Sequence, residues 1–251
     1  MTNCLNGDCL ELMKTLPDKS VDLFVCDLPY GCLLQKKGAR KYKQNTPNEA
    51  GCDWDIKIDL VAFWIQVRRL CKNDKTPVLM FCNTRFGIDL INSNLDWFRY
   101  DLVWDKKFGI NFLLANKQPM MSHEMIYVFS KKGCNYNRID VKVEGKESYS
   151  VVGGHRKATT FGNGLIRNTY KDDNTRCPLS VIHFPLKKSK LHPTCKSVDL
   201  YKWLIERYSN EGDIVLDPTA GSFNSGRACV ELNRQYIGME MNKDFYDNNK
   251  L

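Results

Sequence analysis

One short motif combines an acidic residue with a rigid turn and an aromatic ring. It is Asp27-Leu28-Pro29-Tyr30, which directly follows an apolar run at residues 21–26. In open α/β sheets, ligands bind beyond the carboxyl ends of the strands, so these side chains are predicted to face a cleft. There they would offer a hydrogen-bond acceptor and a flat stacking surface. A strand-to-loop turn in which proline fixes the backbone and tyrosine packs is the alternative.

A second motif begins with Asp217 at the end of another apolar run and continues with the small residues of a turn. Its members after the acid are Pro218, Thr219, Ala220, Gly221 and Ser222. Small residues before a helix let a ligand approach the backbone and the helix N-terminus. Glu240 follows about 20 residues later, where an acidic residue typically accepts hydrogen bonds from ribose hydroxyls. The spacing favours a cofactor that carries adenosine, although a generic strand–turn–helix connection has similar residues.

Strands and helices that alternate along the chain must position these motifs. The predicted strands lie at residues 21–26, 77–82, 214–216 and 236–239, and the predicted helices at residues 60–70, 198–208 and 224–232. Residues 98–104 and 124–129 predict an antiparallel pair that closes the sheet at one edge. The pattern is typical of an α/β fold with a Rossmann-like, doubly wound, mostly parallel sheet.

The basic charge is concentrated in two segments. Residues 131–176 contain ten basic and five acidic residues, which supplies +5 of the net charge of +8. The second cluster follows the first motif and comprises Lys36, Lys37, Arg40, Lys41 and Lys43. Both segments favour a polyanionic partner, nucleic acid above all, whereas solvated surface loops are the alternative.

Composition excludes several other classes of protein. A hydrophobic content of 43% excludes intrinsic disorder. The eleven cysteines are odd in number, lie partly in apolar runs and show no C-x-x-C spacing, so they are predicted to be reduced thiols. With four scattered histidines, no metal site is expected. No apolar run is long enough for a membrane helix, and the N-terminus lacks a signal sequence, which predicts a cytoplasmic protein without a membrane partner.

The two motifs, in this order, resemble those of the β-class S-adenosylmethionine-dependent DNA amino-methyltransferases, in which D-P-P-Y precedes D-P-F-x-G-S-G. Further collinear blocks resemble the same family, and they lie at residues 6–9, 16–22, 104–106, 111–116, 123–131 and 192–196. This sequence departs from the family pattern at Leu28, at Thr219-Ala220, at Cys195-Lys196-Ser197 and at Phe223, which stands where a glycine is usual. The Phe223 departure predicts an altered geometry around the cofactor.

The resemblance implies transfer of a methyl group to the N6 amino group of adenine in double-stranded DNA, with base flipping and a place in restriction–modification. Asp27 and the Leu28 carbonyl would accept the two amino protons, Pro29 would hold the turn and Tyr30 would stack on the base. The residues expected to contact S-adenosyl-L-methionine are Asp8, Cys9, Asp27, Thr194, Lys196, Asp217, Thr219, Ala220, Gly221, Ser222, Glu240 and Met241. Thr194 and Lys196 would hold its carboxylate.

Three segments are expected on this basis. Residues 1–132 would form the catalytic half, residues 133–185 an inserted target-recognition region, and residues 186–251 the cofactor-binding half. The residues expected to contact DNA are Lys36, Lys37, Arg40, Lys41, Arg156 and Lys157. His123 and Glu124 are interpreted as a structural feature of the family.

Other functions stay open at this point. A cytosine-N4 methyltransferase would share the scaffold, although Asp27 favours adenine because a serine is usual there in the cytosine enzymes. RNA or protein-amide methyltransferases usually carry the two motifs in the opposite order. A catalytically silent DNA-binding subunit would not need the intact motifs. A homodimer and a partner restriction enzyme are open as well.

Overall fold

The computed structural model describes residues 1–31, 57–142, 175–186 and 195–251. Two compact units result, one comprising Met1–Asn137 with Ser180–Leu251 and the other Arg138–Leu179. The expected target-recognition region at residues 133–185 is thus longer than the second unit at both ends. The expected DNA contacts Lys36, Lys37, Arg40, Lys41, Arg156 and Lys157, and the expected cofactor ligand Thr194, lie outside the described residues.

The elements of the larger unit alternate between strand and helix. Its strands are β1 (Thr2–Asn6), β2 (Leu23–Cys26), β3 (Val78–Cys82), β4 (Phe98–Ile110) and β5 (Met121–Phe129), and, after β6 (Val141–Lys142) and β7 (Thr175–Arg176) of the smaller unit, β8 (Val181–His183), β9 (Ile214–Asp217) and β10 (Gln235–Glu240). Its helices are α1 (Cys9–Lys14), α2 (Leu60–Leu70), α3 (Thr84–Ser93), α4 (Val198–Tyr208), α5 (Asn224–Glu231) and α6 (Lys243–Asn249). The predicted bounds of α2 and α4 are confirmed. In the smaller unit, β6 and β7 form an antiparallel pair.

The strands of the larger unit form one eight-stranded sheet in the order β1-β10-β9-β2-β3-β5-β4-β8. Only β5 runs antiparallel to its neighbours, which confirms the mostly parallel sheet and the antiparallel pair of β4 and β5. The prediction that this pair closes the sheet is wrong, because β8 pairs with β4 on its outer side. This pairing also explains why the larger unit resumes at Ser180 rather than after residue 185.

Helices cover both faces of the sheet, so the central strands are buried on both sides. Phe24 and Met80 pack with the α2 residues Phe63 and Val67 on one face. On the other face, Val25 and Phe81 belong to the cluster that contains Leu204 and Ile205 of α4. Side chains along a strand alternate between the two faces, so each strand contributes to both clusters. The doubly wound architecture is therefore confirmed.

Side-chain caps fix where the helices start. Asp59 accepts hydrogen bonds from the amides of Val61 and Ala62 at the start of α2. Ser197 accepts from the Leu200 amide at the start of α4. Such caps satisfy amides that have no partner within the helix.

Parallel pairing brings the carboxyl ends of four strands to one edge of the sheet. Asn6 is in register with Glu240, and Gly238 with Asp217, while β2 lies next to β9. Ligands of open α/β sheets bind at such an edge. Among the described helices, none combines the length and apolar character that a membrane span needs. The nine cysteines of the described ranges are all free thiols.

Candidate active site

A cleft of about 850 Å³ lies at the carboxyl edge of the sheet. It is large enough for a cofactor together with a nucleobase, since pockets for small molecules measure roughly 300–1,000 Å³. The predicted site residues that line it are Asp8, Cys9, Asp27, Leu28, Pro29, Tyr30, Lys196, Thr219, Ala220, Gly221, Ser222, Glu240 and Met241. Both motifs therefore meet in one cavity.

Asp27 is the first residue after β2, and hydrogen bonds hold both of its carboxylate oxygens. The Tyr30 hydroxyl lies 2.9 Å from Oδ1, and the Lys196 ammonium donates to Oδ2 over 2.5 Å. Each carboxylate oxygen has two acceptor sites, so Asp27 retains capacity for a further donor. Leu28 is almost fully buried and belongs to the lining of the cleft.

Glu124 on β5 is the centre of a buried network of charges. Its Oε2 lies 2.8 Å from the Lys106 ammonium, and its Oε1 lies 3.3 Å from the Lys196 ammonium. The Tyr30 hydroxyl is also 2.7 Å from Oε1, so it shares its one proton between Glu124 and Asp27. Two ammonium groups thus face two carboxylates, which balances the charge in a site of low exposure.

The pKa values in this network follow from burial and from these charges. Burial favours the neutral carboxyl of Glu124, but Lys196 and Lys106 outweigh it and hold its pKa at about 2. Burial favours the neutral amine of Lys196, yet Asp27 and Glu124 raise its pKa. Burial and the same two carboxylates raise the pKa of Tyr30, which keeps the phenol neutral.

The Lys196 ammonium contacts two carboxylates, and the expectation that it also holds a cofactor carboxylate together with Thr194 stays a prediction. Its side chain is only 4% exposed, and its ammonium group is committed to Asp27 and Glu124. The ammonium also lies 4.5 Å from the centre of the Phe81 ring. Through its contact with Asp27, this buried cation supports the catalytic motif.

The ring of Tyr30 is fixed on one side by Phe86. Their centroids are 5.1 Å apart and their planes are inclined by 26°. The hydroxyl contacts fix the other end of the side chain. The aromatic ring is therefore held in one orientation at the wall of the cleft.

The second motif places two carboxyl groups beside its turn. Asp217 is buried and accepts from the Ser225 hydroxyl at 2.5 Å and from the Thr219 amide at 3.1 Å. Burial, which these hydrogen bonds only partly offset, raises the pKa of Asp217 to about 7. Glu240 accepts from the Gly221 amide through Oε2 and from the Asn242 amide through Oε1. Asp217 lies beneath the lining of the cleft, whereas Glu240 belongs to that lining.

The residues of the second motif fit a nucleoside cofactor. Gly221 has a φ of 50°, a conformation that suits glycine and lets a ligand approach the backbone. The Thr219 hydroxyl is buried at the cleft without a hydrogen-bond partner among the described residues. A buried hydroxyl normally has a partner, so a bound molecule would satisfy it. Cys9 is buried as well, and burial raises its pKa to about 12, so the thiol stays protonated.

Phe223 adopts the conformation that glycine would favour at this position. Its φ is 55°, which is strained for a residue with a large side chain. The ring is fully buried and packs edge-on against Tyr246 at 6.1 Å. Phe223 is not among the described residues that line the cleft, so its side chain points into the core instead of filling the cofactor region.

Glu124 and Lys106 are site residues that the sequence reasoning did not assign. The only signal was their place in the central block that resembles the family. The pairing of β4 with β5 places Glu124 opposite Trp104, and Lys106 lies two residues further along β4. The described part of the chain contains no cluster of three or more histidine, cysteine, aspartate or glutamate side chains suited to a metal ion.

The family model described as "DNA methylase" matches residues 21–250. Among curated proteins, the chain is 26% identical to the type II methyltransferase M.HinfI of Haemophilus influenzae, over 98% of this chain and 67% of that protein. It is 28% identical to the DNA adenine methyltransferase YhdJ of Escherichia coli K12, over 96% and 79%.

Two solved structures share the fold. The M1.HpyAVI complex with SAM has a TM-score of 0.58 at 21% identity, covering 99% of this chain and 98% of that one. The cytosine-N4-specific PvuII DNA methyltransferase has a TM-score of 0.63 at 14% identity, covering 99% and 84%. At these identities the structures report on the fold alone.

Proposed function

The chain belongs to the DNA methylase family of N6 and N4 amino-methyltransferases, and on that premise we propose that it methylates the N6 amino group of adenine in double-stranded DNA. S-adenosyl-L-methionine is the proposed methyl donor. The observation that carries the proposal is the single cleft in which Asp27 and Tyr30 face Gly221 and Glu240. A catalytic acceptor and a nucleoside site must share a cavity for direct group transfer.

The choice of adenine rests on relatives and on the first motif. YhdJ, at 28% identity, is named as an adenine methyltransferase. Asp27 stands where the cytosine-N4 enzymes usually carry serine, by the family resemblance. The cytosine-specific PvuII enzyme shares the fold at 14% identity, which does not bear on the base.

The proposed chemistry addresses the poor nucleophilicity of an amino group conjugated with a purine ring. The Asp27 carboxylate and the Leu28 carbonyl would accept its two protons and direct its lone pair. S-adenosylmethionine, when bound, supplies an electrophilic sulfonium methyl group. Proximity and alignment of the amine then account for much of the acceleration.

The charge network would keep the acceptor in place. Lys196 is already protonated, and Glu124 is a weak base because its pKa is about 2, so neither would take the proton that the methylated amine releases. Asp27 is then the group that contacts the amine. The face of the Tyr30 ring opposite Phe86 would stack on the adenine. A base inside a duplex cannot reach a cleft of this kind without being flipped out.

The cofactor is proposed to lie along the second motif. Glu240 and Asp8 would accept from its ribose and adenine, and the small residues of the turn, Gly221 among them, would border its methionine end. Cys9 and Met241 would border the adenosine. Asp217 would act from beneath by fixing the turn through the Thr219 amide.

The basic segments are proposed to contact the DNA backbone. The residues are Lys36, Lys37, Arg40, Lys41, Arg156 and Lys157, and the segment at residues 133–185 would carry target recognition. Each phosphate contact removed should reduce the slope of log affinity against log salt by about 0.9. Replacing Arg156 and Lys157 together measures this, and an unchanged slope would remove that pair from the interface. A homodimer stays a prediction.

Sequencing that detects methylated bases, applied to DNA from cells expressing the protein, tests the function and gives the target site. The catalytic variant is Asp27→Asn, and Asp101→Asn, at an exposed position of β4, is the matched control. Transfer of a radiolabelled methyl group should fall at least about a hundredfold in the first variant only. Methylated cytosine, or no methylated base, would contradict the proposal.

A further inference from the structure

The hairpin between β4 and β5 ends in an exposed apolar tip. Its large apolar side chains that face solvent are Phe108, Phe112, Leu113, Leu114, Met120 and Met121. Phe112 is 76% exposed and Leu113 95% exposed. Isolated exposed leucines are ordinary, but a cluster of this kind marks a surface that contacts another molecule.

The tip has a defined shape. A 3₁₀ turn at Phe112–Leu114 follows Asn111, whose φ is 67°. The Asn111 carbonyl accepts from the Leu114 amide at 2.9 Å, which closes the turn. At the base of the tip, a Cβ on Gly109 would lie 2.8 Å from Cβ of Met120, so the two strands approach closely. The backbone of the turn, closed by its own hydrogen bond, therefore holds the apolar side chains toward solvent.

The tip is continuous with the catalytic cleft. Ile110, Asn111 and Met121 line the same cavity as Asp27. Glu124, which contacts the Tyr30 hydroxyl, is three residues from Met121 on the same strand, or roughly 10 Å. The apolar tip therefore stands at the mouth through which a target base would enter.

We propose that this tip enters the DNA duplex at the target base pair, with Phe112 and Leu113 filling the stack that the adenine leaves. The inference rests on the proposed function and deepens it by naming the side chains that open the duplex. Apolar side chains inserted between base steps compensate for the stacking that is lost. Lys107 and Lys117 flank the tip, and their charge suits phosphates better than a second copy of a basic chain.

The test compares exposed apolar side chains in two 3₁₀ turns at opposite ends of β4. The wedge variant is Phe112→Ala with Leu113→Ala, and the control is Leu95→Ala, in the 3₁₀ turn Leu95–Trp97, where Leu95 is 65% exposed. The substrate is a synthetic duplex carrying the site that sequencing identifies. One form pairs the target adenine with thymine, and the other places it opposite an abasic position, where extrusion is easier.

On the paired duplex, the wedge variant should lose about tenfold or more of the single-turnover rate, as expected for lost stacking contacts. On the abasic duplex its rate should lie within about twofold of wild type, because no partner base opposes extrusion. The Leu95 control should match wild type on both, and cofactor affinity should be unchanged in all three proteins.

Equal rates of the wedge variant and wild type on the paired duplex would overturn the inference and leave the proposed function intact. Equal losses on both duplexes would also overturn it, because the tip would then act as a general DNA contact. A shift from dimer to monomer in sedimentation, with unchanged methylation, would identify the tip as an interface between copies. Wild-type protein that methylates neither duplex would overturn the proposed function and the inference together.

Discussion

The ammonium nitrogen of Lys196 lies 2.5 Å from Oδ2 of Asp27, although the residues are 169 positions apart. The same ammonium reaches Glu124, which in turn contacts the Tyr30 hydroxyl. Removal of one member would leave a charge or a hydroxyl without its partner in a site of low exposure. The catalytic motif therefore depends on residues from the far end of the chain for its geometry.

Lys196→Met should lower turnover much more than cofactor affinity. We expect a loss of about tenfold or more in the turnover number and a cofactor dissociation constant within about threefold of wild type. Lys106→Met is the matched control, since Lys106 is a second buried lysine on Glu124. Each variant should lose stability, by about 3–5 kcal/mol, because each leaves buried charge less well paired. Radiolabel transfer and calorimetry well below the melting temperature separate the two effects. A large loss of cofactor affinity in Lys196→Met alone would contradict this expectation and support its assignment to the cofactor carboxylate.

Tyr30→Phe and Tyr30→Ala should separate the hydroxyl from the ring. The phenylalanine variant keeps the ring against Phe86 but removes the proton shared by Asp27 and Glu124. A fluorescent base analogue at the target should brighten with wild type and Tyr30→Phe, and much less with Tyr30→Ala, because stacking contributes about 1–3 kcal/mol per base. Methyl transfer should fall in both variants. Equal brightening with all three proteins would place the stacking surface elsewhere.

Glu240→Gln should weaken cofactor binding by about tenfold or more, with near-normal turnover at saturating cofactor. Both carboxylate oxygens of Glu240 accept hydrogen bonds from backbone amides. A glutamine would place its own N–H group against one of these amide donors. It would also lose charge-assisted hydrogen bonds to the ribose, which contribute about 1.5–3 kcal/mol. Lys243 forms its ion pair with Asp247 and not with Glu240, so a surface ion pair with Lys243 does not explain the position of Glu240. Glu231→Gln on the surface is the control, and calorimetry giving the same dissociation constant for both variants would exclude Glu240 from the site.

Asp217→Asn should stabilise the protein at pH 8 and change little at pH 4. The pKa of Asp217 is about 7 in the folded protein, above its ordinary value near 3.8. The contribution of neutral Asp217 to the free energy of unfolding is therefore complete below about pH 3.8, and it is lost as the pH rises toward 7. Asparagine cannot ionise, so the variant should gain a few kcal/mol at pH 8. Urea unfolding at both pH values measures the gain, with Asp96→Asn as the exposed control. A gain of the same size at pH 4 would show that ionisation is not its cause.

The sequence alone determined the α/β alternation, the two motifs and the bounds of α2 and α4. These features arise from interactions over a few residues: apolar periodicity, a capping side chain such as Asp59, and a small-residue turn. The two motifs meet in one cleft because parallel strands bring their carboxyl ends to the same edge of the sheet.

Only the tertiary structure decided which side chains meet Asp27 and where the sheet ends. β1 and β8 carry little apolar signal because edge strands are partly exposed, and their place depends on pairing with distant segments. The neighbours of Lys196 in sequence predict a cofactor ligand, and only the tertiary structure shows that its ammonium also contacts Asp27 and Glu124. Charge pairing in a buried site depends on contacts between residues that are distant in sequence, so a local sequence pattern does not predict it.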